Sequence, residues 1–280
     1  MMKLQTPVTL DAAPVSLSYQ DRIVVLGSCF ADAIGARLAA AGFQVLTNPF
    51  GTLYNPVSIG NAIARLSSGV PFTADEVVEM GAGAGRFCSF FHHTSFARET
   101  PEAFLENANA ALATAAAFWK ECNRVVITLG TAWAFKADAT GETVANCLKR
   151  PAAEFTRYRL SVAQVTAILR GIVQRHGDKQ FVFTVSPIRH LADGAHGNQL
   201  SKSTLLLATE GLPYFPAYEI MMDELRDYRW WAEDMVHPTE QSAAYLCDRF
   251  IEWALPVCEW DHYEAEMKAW RQAQHRPMAG

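Results

Sequence analysis

None of the six cysteines, at positions 29, 88, 122, 147, 247 and 258, pairs with another as C-x-x-C. That spacing excludes a paired-thiolate zinc site, and disulfide frameworks belong to shorter secreted chains. The chain has no H-E-x-x-H and no phosphate-binding P-loop. It also lacks G-x-S-x-G, which excludes the nucleophile elbow of the α/β-hydrolases. Apolar runs fall short of the roughly 20 residues that span a bilayer. The opening MMKLQTPVTLDAAPVSLSYQD has no continuous apolar core of the kind a signal peptide carries. Basic residues form no stripe, and 24 Lys and Arg stand against 29 Asp and Glu, for a net charge of −5. A nucleic-acid surface normally needs the reverse balance. The expectation is a cytoplasmic chain with reduced thiols, with no metal, no organic cofactor, and no nucleic-acid or membrane partner.

Half of the 280 residues are apolar and 19% are charged, which suits a substantial buried core. Residues 23–27 read as a buried strand. In CFADAIGARLAAAG, Phe30, Ile34 and Leu38 stand four apart on one helical face, and Gly42 ends that helix. A second short strand follows at 43–46. A helix opened by Asn55-Pro56 is expected over about 57–68. The stretch GAGAGRFCSFF has clustered glycines, but a strand-like run follows it where a phosphate cradle needs a helix, so it reads as a flexible turn. Further helices are expected from Pro101 to near Glu121, over 161–177, over 201–211, and over 238–255 with Pro238 at the start. Buried strands are expected at 124–130 and 179–187. The polar tail after Pro256 has room for a short helix ending before Pro277. Alternating strands and helices without an internal repeat predict one doubly wound, three-layer α/β/α domain with a mostly parallel sheet, inserted loops and a polar tail. Ser28, Gly51, Gly130 and Pro187 then fall at the carboxyl ends of strands, where such folds place their sites.

Ser28 follows the first strand and precedes the first helix. Taken alone, that position suits an N-cap better than a nucleophile. Cys29 is a second nucleophile candidate, although a free cysteine is more often a small buried hydrophobe. A serine nucleophile needs a base. AEDMVHPTE supplies Asp234 and His237 three residues apart, close enough for a carboxylate to orient an imidazole. His92-His93 reads as a polar strand edge. Arg189, His190, Asn198 and Lys202 suit either a ligand contact or a salt-bridged loop. In DELRDYRWW, Asp223, Arg226, Asp227 and Arg229 read as a structural clamp.

GSCFA at 27–31, NPFGTLYNP at 48–56, ITLGTAWAF at 127–135, VANCLKRP at 144–151, TVSPIRHLADG at 184–194, NQLSK at 198–202 and YFPAYEIMMDELRDYRWWAEDMVHP at 214–238 occur in this order. Together they resemble the GSCFA family, whose fold is similar to that of SGNH hydrolases. The resemblance implies a serine esterase acting on a small acyl ester, with O-acetyl on a saccharide as the substrate expected by analogy. An acyltransferase on the same scaffold and a non-catalytic ligand-binding module are the alternatives. Ser28 resembles the nucleophile, Asp234 and His237 the Asp and His of its triad, and the backbone N–H groups of Ser28 and Gly51 an oxyanion hole. Arg189, His190, Asn198 and Lys202 are candidate substrate contacts, and a homo-oligomer is left open. The chain departs from the SGNH pattern at Gly130-Thr131-Ala132, where an Asn would donate to the oxyanion. Asn146 is the expected substitute. Leu148 stands where GSCFA relatives commonly have His, which implies one lost contact.

Overall fold

A computed structural model describes residues 6–81 and 83–274. Ala82 of the glycine-rich stretch and Pro277 lie outside the described residues. The chain order is β1 (Arg22–Gly27), α1 (Cys29–Ala40), β2 (Gln44–Thr47), α2 (Pro56–Ser68), β3 (Val78–Glu79), β4 (Phe87–Cys88) and α3 (Pro101–Glu121). It continues with β5 (Arg124–Leu129), β6 (Trp133–Ala137), β7 (Thr143–Val144), β8 (Phe155–Arg159), α4 (Val162–Arg175) and β9 (Gln180–Val185). The last elements are α5 (Gly194–Ala208), a short α6 (Ala217–Glu219) leading into a π-turn, α7 (Glu240–Ala254) and α8 (Trp260–Gln274).

The helices begin where local chemistry satisfies their first N–H groups. Asn55, Thr100 and Ser161 each accept a first-turn N–H, and Pro follows directly at 56 and 101. Each such cap is worth about 1 kcal/mol. Gly69 closes α2 in the left-handed conformation that glycine adopts without a Cβ penalty (φ 64°).

The central sheet is parallel, in the order β2-β1-β5-β9. Strand alternation divides its side chains between two cores. Val24, Leu26, Val125, Ile127, Phe181 and Phe183 pack with α2, α3 and α4 on one face. Ile23, Val25, Val126 and Val182 pack with α1, α7 and α8 on the other. Phe30, Ile34 and Leu38 are buried together on the second face, as their spacing predicts. Each such side chain contributes about 1.5–3 kcal/mol of transfer free energy. The fold is thus α/β, with helices on both faces of a parallel sheet. β1 leads into α1 on one face, and β5 leads through β6, β7 and β8 to α4 on the other, so the winding switches at their carboxyl ends.

Several boundaries differ from expectation. Residues 133–159 form an antiparallel sheet of order β7-β6-β8 between β5 and α4. Its short strands carry Lys136, Thr156 and Arg157 and are half exposed, so no buried apolar run marks them. Helix α5 starts at Gly194 instead of 201, and its first turns are polar. Helix α7 begins at Glu240, capped by Thr239, which leaves Pro238 ahead of it instead of inside it. The polar tail forms a 15-residue helix that buries Tyr263 and Met267, four apart.

Candidate functional site

Gly27 ends β1 at φ 131°, and a Cβ there would stand 2.1 Å from the Thr128 carbonyl oxygen. The chain then turns into α1. Ser28 is the N-cap, and its Oγ accepts from the Phe30 N–H at 3.2 Å. The parallel register aligns Gly27 with Thr128 and Leu129 with Val185. It therefore sets the strand-end hydroxyls of Ser28, Thr128 and Ser186 side by side. Ser28 Oγ lies 2.5 Å from Ser186 Oγ and 3.1 Å from Thr128 Oγ1. The three residues have no solvent exposure.

Both backbone N–H groups expected in the oxyanion hole are engaged internally. That of Ser28 donates to Thr128, at 2.9 Å to Oγ1 and 3.2 Å to the carbonyl. That of Gly51 donates to the Asn48 carbonyl at 2.8 Å. Asn48, which sequence reasoning passed over, is the hub here. Its Oδ1 accepts from Gly27 N–H and its Nδ2 donates to Asp32. Its φ of 41° lies in the left-handed region, which asparagine tolerates better than most residues. An Asn opening a Pro-Phe-Gly turn was the available signal.

Cys29 is the first residue of α1 and is partly exposed. Its N–H has no acceptor among the described residues apart from its own sulfur. Burial, then the Asp32 carboxylate, push the thiol up to about 11. The N–H groups of Cys29 and Phe30 and the Lys202 ammonium oppose that rise.

Helix α5 presents Asn198, Ser201 and Lys202 inward on one face, at the i, i+3, i+4 spacing of a helix. Asn198 Oδ1 accepts from His190 N–H at 2.9 Å, and Ser201 Oγ from Ala132 N–H at 2.8 Å. Lys202 is completely buried, and its Nζ donates to the carbonyls of Gly130 (2.8 Å) and Ser186 (2.9 Å). Burial lowers its pKa to about 7, with Cys29 acting in the opposite direction. The NQLSK block thus clamps the loops that leave β5 and β9. Asn198 also hydrogen-bonds the Tyr218 hydroxyl, so its side chain and that of Lys202 are engaged within the fold.

The next loop carries His190 and Arg189. His190 is driven to about 4 by burial and then by Lys202, with His237 adding to the effect and Asp193 opposing it. Its Nε2 is buried without a hydrogen-bond partner. Arg189 Nη2 donates to the Met235 carbonyl at 2.6 Å, and the guanidinium stacks 4.1 Å from the Trp231 ring. Beside it lies a cavity of about 320 Å³ whose lining mixes Met221, Met222, Leu225, Tyr228 and Trp231 with the charged Asp223, Arg226 and Asp227. Asp223 pairs with Arg226 and Asp227 with Arg229 as exposed local ion pairs.

Asp234 and His237 form the pair expected from their spacing. His237 Nδ1 lies 2.6 Å from Asp234 Oδ2, while Asp234 Oδ1 accepts from the N–H groups of Val236 (2.8 Å) and His237 (3.0 Å). The backbone N–H of His237, then its ring, hold the Asp234 carboxyl down at about 2. Bonds from Arg189 N–H to Val236 O and from Ala232 N–H to His237 O fix the loop. Both side chains are half exposed, and His237 Nε2 has no hydrogen-bond partner among the described residues. Lys202 and His237 both act electrostatically on His190, and Lys202 also acts on the Cys29 thiol.

Asn146 follows β7, and its Oδ1 accepts from Leu148 N–H at 2.7 Å. No hydrogen bond joins it to Ser28, Thr128 or Ser186. Leu148 is fully buried in the larger core. His92 is no strand-edge residue. It is buried among Phe50, Phe72 and Phe104, with Nδ1 2.7 Å from Ser89 Oγ.

Among the described residues no helix is long and apolar enough to cross a membrane. No curated protein matches the sequence. The GSCFA family model matches residues 22–250, from the first residue of β1 into α7, so the chain belongs to the GSCFA family.

Proposed function

We propose that this protein transfers acyl groups from small esters, with water as the acceptor, and that His237 is its general base. The observation that carries this reading is the Asp234–His237 pair. A carboxylate that takes two backbone N–H groups on one oxygen and the imidazole on the other fixes both the tautomer and the direction of the ring. Nδ1 is the protonated nitrogen in that arrangement, which leaves Nε2 with a lone pair to accept a proton. The attacking group comes from the junction of β1 and α1, where Ser28 and Cys29 stand at the positive end of a 12-residue helix. His237 takes the proton of the attacking group and returns it to the leaving alkoxide, and Asp234 stabilises the imidazolium between those two events.

The cavity beside Arg189 adjoins the His237 loop, and its Met221, Met222, Leu225 and Trp231 side chains suit an acyl chain or the apolar face of a sugar. A small-molecule or saccharide ester is accordingly the proposed substrate, with O-acetyl as the group removed. No step calls for a metal or organic cofactor. One observation favours a ligand-binding module instead: the Ser28 hydroxyl and the N–H groups of Ser28 and Gly51 are spent on internal partners.

A panel containing p-nitrophenyl acetate, longer p-nitrophenyl esters and acetylated xylo-oligosaccharides separates the two readings. The esterase reading expects saturable turnover of the short esters, with release of acetate. Saccharide binding with no turnover of any ester would replace it with the binding module.

A further inference from the structure

We propose that Cys29, rather than Ser28, is the nucleophile of this acyl transfer. The assignment rests on the acyl-transfer reading and deepens it. Three features of the β1–α1 junction carry it.

The first is access. Ser28 has no exposed surface and is enclosed by strand-end residues of β1, β5 and β9, whereas Cys29, one residue along, is partly exposed. An ester carbonyl must approach its nucleophile to within about 3–3.5 Å. At Ser28 that space is filled by the hydroxyls of Ser186 and Thr128.

The second is donor accounting in the first turn of α1. The Phe30 N–H goes to Ser28 Oγ and the Ala31 N–H to the Ser28 carbonyl. The Cys29 N–H is left without an acceptor beyond its own sulfur. It is free to donate to the oxyanion of an acyl group attached to Cys29. The N–H groups of Ser28 and Gly51 are spent elsewhere.

The third is what lies behind the pair. Ser28 Oγ touches Ser186, and the Ser186 carbonyl holds the Lys202 ammonium. Lys202 uses two of its three N–H groups on carbonyls and acts electrostatically on the Cys29 thiol. Ser28 is then the capping and bracing residue that fixes the helix start, and Lys202 ties the loops after β5 and β9 that carry this brace. The remaining cysteines lack this setting. Cys88, Cys122 and Cys247 are buried, and Cys147 and Cys258 lie outside α1.

The thiol stands at about 11 and therefore enters the reaction protonated, so it needs the base. His237 removes the S–H proton as sulfur bonds to the ester carbonyl carbon. The tetrahedral adduct collapses, the C–O bond to the alcohol breaks, and the alkoxide takes the proton back from His237. Water then attacks the thioester while His237 takes one of its protons. The C–S bond breaks, the proton returns to sulfur, and the free acid leaves.

The test is rapid mixing of the wild-type protein with p-nitrophenyl acetate, acid quench, and peptide mapping, together with turnover of folded Cys29→Ala and Cys29→Ser. The expected adduct is acetyl on Cys29, released by neutral hydroxylamine as a thioester is. Cys29→Ala is expected to lose turnover by about 10³-fold or more. Acetyl on Ser28, or wild-type turnover by folded Cys29→Ala, would overturn the assignment and leave the esterase reading standing. Absence of turnover in the wild type on every ester would overturn that reading, and the assignment with it.

Discussion

Replacing Ser28 by Ala removes one oxygen from the most crowded polar cluster at the sheet edge. That oxygen caps α1 through the Phe30 N–H and pairs with the hydroxyls of Ser186 and Thr128. Loss of the cap costs about 1 kcal/mol. The Ser186 hydroxyl has no second hydrogen-bond partner among the described residues and is fully buried, so leaving it alone adds about 1–3 kcal/mol. The sum is about 2–4 kcal/mol, a large share of the roughly 5–15 kcal/mol by which a folded domain is stable. Urea unfolding followed by tryptophan fluorescence reads this directly, as a lowered midpoint with the slope unchanged. A loss below about 0.5 kcal/mol, the range of ordinary surface substitutions, would refute the bracing role given to Ser28.

Gly27→Ala places a Cβ 2.1 Å from the Thr128 carbonyl oxygen at a φ of 131°, and should lower the unfolding free energy by about 3 kcal/mol or more, read by urea titration. His92 is held at about 3 by burial, against its ordinary 6.5, so the native state keeps it neutral while the unfolded chain takes up a proton. Stability from this site is full above pH 6.5 and falls as pH drops towards 3, by about 2 kcal/mol at pH 5. His92→Gln should therefore lose that much less stability between pH 7 and pH 5 in urea titrations at the two pH values. Asp234→Asn can still accept the Val236 and His237 N–H groups through its carbonyl oxygen, so its melting temperature should stay near that of the wild type. Its kcat on an ester should nonetheless fall by about 10⁴-fold, because the amide favours the wrong imidazole tautomer and cannot stabilise the imidazolium.

The parallel sheet and its helices were legible because their signals are local. Ile23 to Leu26 is an unbroken apolar run, and Phe30, Ile34 and Leu38 repeat at helical spacing. Asp234 and His237 were legible for the same reason, since three residues of loop suffice to join them. The strand-end cluster was half legible. Ser28, Thr128 and Ser186 each end a buried strand, but only the β1-β5-β9 register makes them neighbours across about 100 and 158 residues of chain. The antiparallel insertion at 133–159 escaped because its strands are short and mixed in character. NQLSK looked like a ligand-facing polar segment. Only tertiary structure shows that Asn198, Ser201 and Lys202 turn inward to hold the backbone at Gly130, Ala132, Ser186 and His190.

Acyl transfer with His237 as base is tested most directly by kcat/KM for His237→Ala beside the wild type, on whichever short ester the wild type turns over fastest. His237 is half exposed and among the described residues its ring bonds only to Asp234, so the variant should remain folded. The account predicts a fall of about 10³-fold or more. A folded His237→Ala protein that hydrolyses the ester at the wild-type rate would contradict it and shift attention to the buried, unpartnered Nε2 of His190.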